Sequence, residues 1–118
     1  MKRQQQVIDL LCLAKKRIGT EERWIKKAMA RDDDDLQCHP SAHDAVSWCS
    51  VGALHRCKAF EEDALVAAEA LDKATWVKSG CGAITYNDRV ETTHADVMAR
   101  FDDAIALVAS GSFEPTCI

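Results

Sequence analysis

The stretch Trp48-Cys49-Ser50-Val51-Gly52-Ala53-Leu54 decides how this chain is read. It looks like the middle of a helix running from about Ala42 to Phe60, with Pro40 excluding helix before it and Ser41 available as its cap. On a helical wheel Ala42, Ala45, Cys49, Gly52, Ala53 and Phe60 fall on one side, a face made mostly of small side chains. Glycine inside a helix costs about 1 kcal/mol relative to alanine. Close approach by another helix or a loop backbone is the simplest compensation. Gly52 is therefore expected to lie beneath a neighbouring segment. The sharper alternative is a small-molecule pocket floored by Gly52.

Arg56 falls on the same small, apolar face, about 20° from Cys49 on an ideal wheel. A guanidinium buried there needs a partner. Asp88, in the turn Tyr86-Asn87-Asp88, is the expected one, with the turn docking on the small face. The alternatives are that Arg56 reaches solvent along its stem and that Asn87 and Asp88 only shape a turn. Trp48 projects from another side of the helix and reads as core.

Outward from this centre the periodicity is helical. Val7, Leu10, Leu11, Ala14 and Ile18 make one stripe, closed by Gly19. Trp24, Ile25, Ala28 and Met29 predict a second helix, capped by Thr20 and joined to the first in a tight hairpin. Asp32-Asp33-Asp34-Asp35 repel one another and mark a solvated loop. Beyond the central helix, Ala64, Ala67, Ala68 and Leu71 predict a fourth helix from Glu61 or Glu62 to about Thr75, which could join the third as one bent rod. Gly80 and Gly82 predict a loop, with Ile84-Thr85-Tyr86 β-prone but too short to form a sheet alone. Thr93 and Asp96 form a capping-box pattern for a last helix from about His94 to Ala109, closed by Gly111. Residues 111–118 read as a short tail.

The 118 residues suit one domain, spanning 1–118, with enough chain to build a core without metal or disulfide. The basic, partly apolar N-terminus imitates a signal peptide, but Asp9 interrupts its apolar run and Lys15-Lys16-Arg17 ends it. No run is long enough to span a membrane. A cytoplasmic protein with reduced thiols is expected. Charge is uneven: residues 1–31 hold nine Lys/Arg against three Asp/Glu, and residues 32–118 hold six against sixteen. Two oppositely charged solvated faces are the plain explanation. Contact with an acidic partner through Lys15, Lys16, Arg17, Arg23, Lys26 and Lys27 is the sharper one. The net charge of −4 argues against a dedicated nucleic-acid binder.

The pattern Trp48-Cys49-x-x-Gly52-Ala53-Leu54-x-Arg56, followed by Tyr86-Asn87-Asp88 and an amphipathic helix, resembles a family of small bacterial and phage proteins that share a domain of unknown function. Trp24-x-x-x-Ala28-x-Ala30-Arg31-Asp32 fits its first segment, so the likeness spans about Val7 to Val108. The chain departs from the family's pattern in having Tyr86 in place of a tryptophan and four aspartates in place of an Asp-Gly turn. The resemblance implies a fold and a bacterial or phage origin, and carries no activity, cofactor or catalytic residue.

Chemistry has few footholds. Zinc needs four converging ligands. Cys49, His55 and Cys57 diverge on a helix, and no CxxC pair is present. Only Cys38, His39 and His43 could converge, with Cys81 or Cys117 added by folding. A thiol–imidazole pair such as Cys57 with His55 is adjacent only in sequence. The aspartate run lacks the alternation and glycine of an EF-hand loop.

The expected fold is all-α: a single small bundle of about five helices with a short irregular Gly-rich and Tyr-Asn-Asp segment. The expected function is non-enzymatic, an interaction or regulatory protein that binds a protein partner, without cofactor, metal or membrane. The alternatives are nucleic-acid contact through the basic N-terminal hairpin and a small-ligand pocket or cryptic enzyme around Gly52, Arg56, Tyr86 and Asp88, with Trp48 and Asn87 as further candidate binding residues.

Overall fold

The stripe Val7, Leu10, Leu11, Ala14 and Ile18 is buried. It lies along α1 (Lys2–Arg17) and just past its end. The computed structural model describes residues 2–116, so Cys117, a possible metal donor, and the last two residues of the tail lie outside the described residues. Helix α1 packs against α2 (Ser50–Cys57), α3 (Glu61–Ser79) and α5 (His94–Ala109). The inner face of α3 is mostly alanine: Ala64, Ala67, Ala70 and Ala74 are buried. Small side chains let α1 and α5 come close to it. Phe101, fully buried on α5, fills the space they leave. Thr93 and Asp96 form the expected capping box, and α5 keeps its predicted bounds.

The segment between α1 and α2 departs from the expected hairpin of helices. Only a 3-10 turn, Glu21–Arg23, follows α1. The chain then runs extended, turns through Lys27 at φ 67°, and forms β1 (Ala30–Asp32). This strand pairs antiparallel with β2 (Ala45–Trp48), placing Ala30 opposite Trp48, with a bulge between Arg31 and Asp32. The two-stranded sheet was not foreseen. A two-turn apolar stripe gains little as an isolated helix. Here the backbone is satisfied from afar: Ile25 N–H donates to Trp48 O, Cys38 N–H to Ala30 O, and Cys49 N–H to Met29 O.

The central helix is correspondingly shorter. It starts at Ser50, and extended Cys49 is its N-cap, its Sγ accepting from Gly52 N–H at 3.3 Å. Lys58 and Phe60 are extended, so α2 and α3 are separate rods. Helix α3 outruns its predicted end and stops at Ser79, where Gly80 takes the left-handed conformation at φ 71°. Ile84-Thr85-Tyr86 is helical, inside α4 (Ala83–Asp88), with Ala83 N–H held by Asp72 Oδ1 at 2.7 Å. A side-chain acceptor for the first helical amide helps a short β-prone run turn into helix.

Gly52 is covered as expected. A Cβ there would sit 1.9 Å from the Met29 carbonyl oxygen, which is backbone and has no rotamer to yield. Substituting Gly52→Ala should lower unfolding free energy by about 3 kcal/mol or more. Urea denaturation followed by circular dichroism measures this, and a midpoint near that of the parent chain would contradict the contact.

Candidate functional site

Asn87 is the polar centre of the molecule. It sits on the last turn of α4, only 1% exposed. Its Oδ1 accepts from Trp24 Nε1 at 2.7 Å and from Ser50 N–H at 3.2 Å. Its Nδ2 donates to Ile25 O at 2.9 Å and to Asp88 Oδ1 at 3.1 Å. One carboxamide therefore ties the extended 24–29 segment, the first residue of α2 and α4 together. A buried amide with both ends satisfied fixes geometry, because any shift strands a donor or acceptor.

The six sequence-derived candidates divide between this junction and its surroundings. Asn87 reaches the N-terminal end of α2 at Ser50, while the Met29 backbone, and not the expected Tyr86-Asn87-Asp88 turn, covers the small face at Gly52. The expected ion pair does not form. Arg56 Nη1 donates to Ala42 O at 2.6 Å and Pro40 O at 3.3 Å. Asp88 Oδ1 accepts from Lys27 N–H at 2.7 Å. Backbone carbonyls of the loop before β2 thus engage the guanidinium through Nη1, and the carboxylate satisfies the amide of the left-handed residue. Trp48 is buried in β2, its Nε1 donating to Pro40 O at 2.9 Å. The guanidinium carbons of Arg17 and Arg56 lie 5.4 and 5.3 Å from its ring centroid, within cation–π range. Tyr86 stands between Arg89 and Arg100 in the same sense, at 5.9 and 5.8 Å. It borders a cavity of about 10 Å³ shared with Ser50, whose buried hydroxyl has no hydrogen-bond partner among the described residues. The backbone of Met29 fills the space over Gly52.

Beside Gly52 the interior reaches a surface crevice of about 230 Å³, lined by Lys27, Ala28, Met29, Cys49, Ile84 and Asp88. Two sulfurs meet at it, Cys49 Sγ and Met29 Sδ, 3.8 Å apart. Burial pushes the Cys49 thiol up, against the opposing pull of the Gly52 and Val51 amides. Met29 was read only as part of a helical stripe, and Trp24 likewise. Their roles depend on hydrogen bonds from Ile25 N–H to Trp48 O and from Trp24 Nε1 to Asn87 Oδ1, which local periodicity does not contain.

The basic residues do not form one open face. Lys15 pairs with Asp102 at 2.7 Å, Arg17 lies against Trp48, and Lys26 Nζ donates to Arg89 O. Lys16, Arg23 and Lys27 are exposed. They belong to a helix end and an irregular segment, where a helical hairpin was expected. His39 Nδ1 accepts from Ser41 N–H at 3.0 Å. Among the described residues no three of His, Cys, Asp and Glu, including Cys38, His39 and His43, gather into a metal-binding group. Among the described residues no helix is long and apolar enough to cross a membrane.

Fold and junction together define a small, mainly helical protein whose motif residues meet in its interior. Over residues 2–107 the chain matches the family model of DUF6197, a family of unknown function, and it belongs to that family. No curated protein and no solved structure matches it.

Two outcomes follow from the junction. Asn87→Ala leaves Trp24 Nε1, Ser50 N–H and Ile25 O without their partner. It should cost about 3 kcal/mol in urea unfolding, since each stranded buried group costs about 1–3 kcal/mol; a loss under about 1 kcal/mol would show that these bonds are dispensable. Arg56→Ala and Asp88→Ala share no partner, so in a double-mutant cycle their effects should add within about 0.5 kcal/mol. A larger coupling would restore the ion pair.

Proposed function

We propose that the protein is a non-enzymatic interaction or regulatory protein of a bacterium or phage, acting by binding a protein partner. One observation carries this reading: Trp76, near the C-terminal end of α3, is 58% exposed. The motif residues Trp48, Gly52, Arg56 and Asn87 make internal contacts, and their polar groups are engaged within the chain. Trp76 has no such duty. Its indole borders Gly82, at the start of α4, and Val77 and Ile84 are exposed close by in the chain. Tryptophan is enriched among residues that dominate protein interfaces. Exposed apolar side chains of this kind support contact with another protein surface.

Trp76→Ser removes apolar surface without touching the core. It should leave stability within about 0.5 kcal/mol of the parent. Affinity capture from the native host, compared between parent and variant, should recover a protein with the parent that the variant loses. Equal recovery by both, or none by either, would overturn the reading.

A further inference from the structure

We propose that Cys49 and Met29 form a binding site for a soft monovalent cation of the copper(I) type. The two side chains come from different parts of the chain, the extended segment before β1 and the cap of α2. Both are held by backbone: Cys49 N–H donates to Met29 O at 3.2 Å, so neither residue moves without the other. Their sulfurs stand 3.8 Å apart at the wall of the 230 Å³ crevice.

The donor set selects the ion. Thiolate with thioether suits copper(I), whereas zinc takes four nitrogen, oxygen or sulfur ligands, which the described residues do not gather. Two metal–sulfur bonds of about 2.3 Å spanning this gap enclose an angle of about 110°, a bent bridge that leaves a third position open. The crevice provides room for that third donor. Binding replaces the thiol proton, which leaves to solvent, and forms one metal–thiolate and one metal–thioether bond. The resulting thiolate keeps the Gly52 N–H that already points at Sγ, at 3.3 Å.

The other cysteines compete for such an ion, so the test must report on Met29. The chain has three methionines, and their ε-methyl groups can be labelled with carbon-13 and followed separately by NMR. One equivalent of copper(I), supplied with ascorbate under anaerobic conditions, should shift the Met29 methyl and leave that of Met98 in place. Competition with a chromophoric copper(I) chelator should then show at least a tenfold weaker tightest site in Met29→Leu, a change that preserves volume. A still Met29 methyl at one equivalent, with the ion taken by other thiols, would overturn the proposal. So would equal affinity of parent and Met29→Leu. Both measurements use the folded full-length chain and neither depends on a protein partner.

Discussion

The Met29 carbonyl rests where a side chain at position 52 would be, and the rest of the centre is arranged around that contact. A helix with any larger residue there would push the 24–29 segment away. With glycine the segment lies against α2, and the Cys49 amide reaches the Met29 oxygen. The same placement brings Trp24 alongside Trp48 and within reach of Asn87. The helix loses about 1 kcal/mol of propensity at Gly52. Several buried hydrogen bonds offset it, each of which would be stranded if the segment moved out.

Asn87 then acts as the second lock. Backbone contact alone fixes the segment against α2 but leaves α4 free to slide. The carboxamide joins all three, and Asp88 completes the work by holding the amide of left-handed Lys27. Left-handed backbone at a non-glycine residue costs of order 1 kcal/mol and persists only where surroundings impose it. Here they do so through a carboxylate at 2.7 Å. Arg56 solves a separate problem. It satisfies the carbonyls of Pro40 and Ala42 and lies near Trp48, so the loop before β2 is pinned to α2.

This division explains what sequence could and could not disclose. Helix α5 and the end of α1 were legible to within a residue or two because their stripes, the Thr93 cap and the closing glycines are all local, whereas α1 begins at Lys2, five residues before its stripe. The need for a neighbour over Gly52 was legible too, since a mid-helix glycine demands compensation. The identity of that neighbour was not. Strands of three and four residues are too short to display a period of two, and Trp24 to Met29 happen to fit the helical one. The partner of Arg56 was illegible for a different reason: carbonyl acceptors occur at every residue and leave no mark on sequence. Asp88 looked the better choice because charge is visible and backbone is not.

The residues that carry the family resemblance are therefore chiefly residues of assembly. A side chain engaged on all its polar atoms by its own chain has little left to offer a substrate. Trp48 and Asn87 are in that position, Arg56 gives its Nη1 to two backbone carbonyls, and Gly52 has no side chain. The groups that the fold leaves unused lie elsewhere, and a half-exposed tryptophan on α3 is one of them. The sulfur pair is the exception within the centre. Cys49 and Met29 hold the architecture through their backbones, and the Cys49 Sγ also accepts the Gly52 N–H, so one sulfur serves both the cap of α2 and the wall of the crevice.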